Sequence, residues 1–134
     1  MSDTSNVKFN HVHAKVRDLG AAVSWFEKIW GLTATHRDDR LAVFSLGSFL
    51  LLLDASEIDS EMTLGFESRN CDADFNAAVG RGAIAIRSPA DFPWGARAAY
   101  VRGPGALTIE FEQIKATPEG DNALILSGGF NPRS

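Results

Sequence analysis

The chain has a single cysteine, Cys71, in 134 residues. It can form no intrachain disulfide and has no cysteine-based zinc cluster. With no histidine near it in sequence, Cys71 reads as an inert residue at a helix start. A basic excess is also missing: 13 Lys and Arg stand against 17 Asp and Glu, for a net charge of −4 and a pI near 5.3. Phosphate binding needs a basic surface, so no nucleic-acid partner is expected. Apolar runs such as Phe49 to Leu53 are far too short to span a bilayer. Residues 1–7 show no basic region followed by an apolar core, so no signal peptide is visible. Nor is there a phosphate loop, because Gly103 and Gly105 sit in a turn with no helix after it. These absences leave an acidic, cytoplasmic protein with no membrane partner.

What is present is ordinary for a globular domain, with 45% hydrophobic and 22% charged residues. A chain of this length buries roughly two thirds of its unfolded surface as one domain. Residues 10–19 organise it. His11, His13 and Lys15 alternate with Val12, Ala14 and Val16, giving a strand with one polar and one apolar face. Asp18 then stands where a side chain can cap the helix that follows. The plan recurs about fifty residues on. Glu61 and Thr63 alternate with Met62, Leu64 and Phe66, and a helical stretch ends near Gly80 or Gly82, as Gly31 ends the first. Each half closes on a turn and an apolar strand.

Taken in order, a strand is expected over Lys8 to Arg17. A helix follows over Leu19 to Trp30, with Ala22, Val23, Phe26, Ile29 and Trp30 on its apolar face. Further strands are expected at Leu32 to His36, Leu41 to Leu46 and Phe49 to Asp54, the last covered on both sides because it is apolar throughout. In the second half, Glu61 to Phe66 forms a strand. Asn70 or Asp72 caps a helix whose apolar side is Phe75, Ala78 and Val79. Ala83 to Arg87 is a short strand, Ser88 to Gly95 a loop, and Arg97 to Arg102 with Ala106 to Gln113 a hairpin around Gly103-Pro104-Gly105. The single domain, 1–134, thus divides into a module at about 7–54, a second at about 61–113, and a polar tail at 114–134 with an apolar patch at Ala123 to Leu126.

Three strands carry chemically loaded faces: His11, His13 and Lys15; Glu61 and Thr63; and Thr108, Glu110 and Glu112. An imidazole and two carboxylates from separate strands suit a divalent metal with open positions. The same carboxylates could move a proton beside a carbonyl. Glu112 is expected to be exposed at a sheet edge. Trp94 fits either a pocket wall or a cover over the core or an interface, and Arg97 either an anion contact or a solvated arginine.

The run from His11 through Leu19 into Ala22-Val23-Ser24-Trp25-Phe26 and Trp30-Gly31-Leu32, with Trp94 to Arg97 and Gly105 to Glu110, resembles the vicinal oxygen chelate superfamily. Its members include glyoxalases, bleomycin-resistance proteins and extradiol dioxygenases. The resemblance covers about residues 8–113. It implies an α+β fold, with two βαβββ modules forming a cupped, mostly antiparallel sheet, and a homodimer. The family's ligand positions fall on His11, near Leu52, on Glu61 and on Glu110, implying a His11, Glu61, Glu110 metal set. Leu52 cannot bind a metal, and the usual second histidine of the dioxygenases is missing. Two functions follow from the resemblance. One is a lyase, isomerase or epimerase using a divalent ion (Ni, Zn, Mn, Co or Fe), with Glu61 or Glu110 as the catalytic proton carrier. The other is a metal-free protein that sequesters a small molecule, as resistance proteins of this fold do. In either, His13, Leu52, Trp94 and Arg97 are the candidate ligand contacts.

Overall fold

A computed structural model describes residues 8–115. The chain divides into two compact units, residues 8–62 with Pro104–Ala106, and residues 63–103 with 107–115. The expected tail patch at Ala123 to Leu126 lies outside the described residues.

The first unit runs β1 (His11–Val16), α1 (Leu19–Trp30), β2 (His36–Arg37), β3 (Leu41–Leu46) and β4 (Phe49–Ala55). Its sheet has the order β1-β4-β3-β2, with β1 parallel to β4 and the other pairs antiparallel. Helix α1 starts where expected because the Asp18 side chain accepts from the Ala21 N–H. It stops at Gly31, whose φ of 72° is left-handed, and whose N–H donates to Glu27 O while that of Leu32 donates to Phe26 O. Its buried stripe is Leu19, Ala22, Val23, Phe26 and Ile29. Phe26 meets Phe44 of β3 at a ring distance of 5.3 Å, and Ala14, Val16, Leu51 and Leu53 complete this core.

The second unit runs β5 (Met62–Glu67), α2 (Cys71–Gly80), β6 (Ala85–Phe92), β7 (Ala96–Arg102) and β8 (Leu107–Ile114), in the sheet order β5-β8-β7-β6. Asn70 caps α2 by accepting from the Ala73 N–H. Cys71, Phe75 and Ala78 are buried with Ala99, Val101, Ile109 and Phe111. Buried Ser68 ties the helix start to the sheet: its hydroxyl donates to Asp74, and its N–H donates to Glu112 O. Each unit is a βαβββ module.

Several expectations are corrected. Strand β2 is only His36–Arg37, because the N–H of Leu32 is spent closing the helix cap and pairing to β3 starts at Thr35. Strand β4 is not covered on both sides: Leu51 and Leu53 are buried, whereas Leu50 is 38% exposed. Strand β1 is shorter than expected, and β5 begins at Met62, leaving Glu61 just before it. Val79 is exposed, and the buried residues of α2 are Cys71, Phe75 and Ala78. The expected loop after Arg87 continues as strand to Phe92. Pro89 is tolerated there because β6 is the outer strand and its register shifts between Arg87 and Ala90. Glu112 is half-buried on β8, between β5 and β7, and not at an edge.

Candidate functional site

In the first unit, the sheet face away from the core is set out in rows by strand register. One row is His11, Leu50 and Ser45, the next is His13, Leu52 and Val43, and the third is Lys15, Asp54 and Leu41. Alternation sends Leu51 and Leu53 into the core and so leaves Leu50 and Leu52 on this face. The His13 and Asp54 side chains pair diagonally, with Nδ1 to Oδ2 at 2.6 Å. The pair is well exposed and adds little to stability, but it fixes the orientation of the imidazole. The His11 ring stands edge-on to that of His13, 5.1 Å away, and its Nδ1 pairs with the Asn10 side chain.

In the second unit, β8 carries Glu110 on the corresponding face. The Tyr100 hydroxyl donates to Glu110 Oε2 at 3.1 Å, from the residue directly opposite in register. Glu110 Oε1 lies against Gly65, where a Cβ would approach it to 3.3 Å. Burial, with the charge of Glu110 and its hydrogen bond added, pushes the Tyr100 phenol above its usual range. The Glu112 carboxyl is also raised, first by burial and then by the charges of Glu110 and Glu67. Trp94 stacks on Phe92 at 4.8 Å, and the Arg87 guanidinium caps that ring at 4.9 Å.

The remaining candidate contact, Arg97, is engaged by two carboxylates. Its Nε and Nη2 donate to Asp72, and its Nη1 donates to Asp91 at 3.1 Å. These bonds, that to Asp72 foremost, raise its pKa further. Sequence reasoning missed Asp54, Gly65 and Tyr100. Asp54 was legible as the next residue after Leu50 and Leu52 on an alternating strand. Nothing local marks Gly65 or Tyr100, since their role depends on pairing with β8.

No protein-family model matches the chain, and no curated protein sequence matches it. Solved structures do. A glyoxalase/bleomycin resistance protein/dioxygenase from Nocardioides superposes with a TM-score of 0.73 at 22% identity, over 86% of this chain and 89% of that one. The fold is that of the glyoxalase/bleomycin-resistance proteins. Lactoylglutathione lyase from Agrobacterium tumefaciens has a TM-score of 0.70 at 17% identity, over 79% of this chain and 92% of that one. The bleomycin resistance determinant encoded on transposon Tn5 has a TM-score of 0.68 at 15% identity, over 82% and 100%.

A glyoxalase/bleomycin-resistance fold brings no metal with it; donor side chains must supply the site. Among the described residues, no three His, Cys, Asp or Glu side chains are grouped so as to hold a metal ion. One Glu110 oxygen is occupied by Tyr100, and Glu61 and His11 are exposed. His11 and Glu61 belong to the first unit and Glu110 to the second, and no reaction step is assigned to an ion. No helix among the described residues is long and apolar enough to cross a membrane.

Proposed function

We propose that the chain is a small-molecule binding protein of the sequestering type, which holds a partly apolar ligand without a resident metal. The observation that supports this is the face of the first sheet, where exposed Leu50 and half-buried Leu52 and Val43 lie beside the His13–Asp54 pair. Apolar side chains supply contact area there, and an oriented imidazole supplies direction, the usual composition of a ligand surface. Within the second unit taken by itself, Glu110, held by Tyr100, is a candidate acceptor. Trp94 and Phe92 are an aromatic platform, while Arg97 serves a ligand only if released from Asp72 and Asp91. A homodimer and a cytoplasmic location belong to the same proposal.

The second reading is the metal-dependent lyase, isomerase or epimerase, with His11, Glu61 and Glu110 as ligands and a glutamate as proton carrier. It is favoured by one observation, the half-buried Glu110 carboxylate held in place on a central strand. One experiment separates the two. Elemental analysis of purified protein is followed by titration of the chelated form with Ni, Zn, Mn, Co and Fe(II), alongside a thermal-shift screen of small apolar molecules. Hits that are lost in Leu52→Asp and kept in Glu61→Ala would support sequestration. A tight one-per-chain ion lost in His11→Ala, Glu61→Ala and Glu110→Ala would overturn it in favour of the enzyme.

A further inference from the structure

Two adjoining cavities open where β1 passes into α1, both within the first unit. The larger, about 640 Å³, is lined by Arg17, Gly20 and Arg37 together with Asp18, Asp38 and Asp39. The smaller, about 240 Å³, is walled mainly by Val16, Ala21, Ala22, Trp25 and Pro104. Arg17 and Asp18 line both, so one molecule can occupy the two together. The smaller volume is below the range of about 300–1,000 Å³ that holds a whole drug-sized ligand. It suits one ring or a short alkyl group laid against Trp25.

The charges of the larger cavity differ in how they are used. Asp18 Oδ1 accepts from the Ala21 N–H. Asp38 Oδ1 accepts from the N–H groups of Arg40 and Leu41, and its Oδ2 pairs with His36. Asp59, at the edge of the smaller cavity, accepts from the Arg17 N–H. The Asp39 carboxylate and the guanidinium groups of Arg17 and Arg37, by contrast, have no ion pair or side-chain hydrogen bond among the described residues. Gly20 keeps a side chain out of the space between Asp18 and Arg37: a Cβ there would lie 3.7 Å from Asp18 Oδ1 and 3.9 Å from Arg37 Nη2.

We propose that these joined cavities bind a small organic monocarboxylate with an apolar or aromatic body, its carboxylate between Arg17 and Arg37 and its body against Trp25. Guanidinium matches carboxylate in geometry, and two planar forks facing one space give it direction. The neighbouring aspartates work against a ligand of higher negative charge, so a single carboxylate is preferred over a phosphate dianion. The sheet faces that carry His13 and Glu110 play no part, so the two proposals can fail separately.

The test is an amide and indole NMR titration of the full chain with phenylacetate, with inorganic phosphate as the comparison. Saturable shifts at Gly20, Ala21 and the Trp25 indole are expected, with phosphate at least tenfold weaker. Arg17→Ala and Arg37→Ala should each weaken phenylacetate at least tenfold. Both side chains are exposed and unpaired, so native spectra should be retained. Gly20→Leu, which keeps both arginines and fills the space beside Arg37, should weaken it similarly. The proposal is overturned if Gly20 and Trp25 do not shift, if the Arg17→Ala/Arg37→Ala double variant binds as well as wild type, or if phosphate binds equally tightly.

Discussion

Tyr100 and Glu110 face each other across the β7–β8 ladder, and the phenol donates to the carboxylate at 3.1 Å. Tyr100 is the only tyrosine in the chain, and its partner is the glutamate that the sequence marks as a candidate ligand. The bond leaves Glu110 with one oxygen turned toward Gly65 and unable to swing freely. Removing the hydroxyl should therefore cost about 1–2 kcal/mol, the range for a hydrogen bond to a charged group at a partly exposed site. Urea unfolding of Tyr100→Phe at pH 7 measures it. The raised phenol also predicts that wild-type stability declines as pH rises above 10, the ordinary tyrosine value, toward the native one. Tyr100→Phe should lack that part of the decline.

Glu112 gives the acidic counterpart. Its raised carboxyl means the native state favours the protonated form. The resulting stabilisation is complete below the ordinary 4.5 and is lost as pH climbs through the raised value. At pH 7 wild type therefore carries a half-buried charge beside two like charges. Glu112→Gln should be more stable than wild type at pH 7, with the gap closing near pH 4. An equal gap at both pH values would mean burial and repulsion are not its source.

Gly65 and Glu110 should be energetically coupled. A methyl group at 65 lies 3.3 Å from Glu110 Oε1, tight enough that the carboxylate must give way. Gly65→Ala is expected to destabilise wild type by about 1 kcal/mol. In a Glu110→Ala background the same change should be neutral or stabilising, since alanine costs less than glycine in a strand. A double-mutant cycle reads the difference, and additive effects would refute the contact.

Cys71 should be silent until the second unit opens. Its side chain is buried, its Sγ lies 3.6 Å from Phe111 O, and burial raises its pKa. A thiol reagent at pH 8 should react at the rate of unfolding, rising with urea in parallel with loss of near-ultraviolet circular dichroism. Rapid labelling of native protein would show that α2 frays locally.

The core of the first unit rests on Phe26, fully buried and in ring contact with Phe44. Phe26→Ala should cost about 3–5 kcal/mol by lost transfer energy and an unfilled cavity. The mid-point of chemical unfolding measures it. A loss below 1 kcal/mol would mean the space collapses.

The parts of the fold visible in the sequence were those set by local rules. Helix α1 was legible to the residue, because Asp18 and Gly31 are start and stop signals that act through their own backbone neighbours. The failures came where a distant strand decides. Glu112 looked like an edge residue because nothing in its neighbourhood says that β8 is central. Leu50 looked covered because an apolar run does not report which of its faces has a partner. Among the candidate residues, His11, His13 and Glu110 stood out by chemistry. Tyr100, Gly65 and Asp54 matter through register, which one strand alone does not encode.

Strand β6 has a bearing on self-association. It is the outer strand of its sheet, with Ile86 exposed along it and Ile84 exposed just before it, a composition that invites pairing with another chain. Pro89 removes one N–H from the middle of the strand, the register shifts on either side of Arg87 break the regular spacing of the rest, and Arg87 adds a charge. A second copy meeting this edge finds no continuous row of donors and acceptors to copy. The irregularity that made β6 hard to read from sequence is thus what guards the protein against growing into a sheet with its own kind.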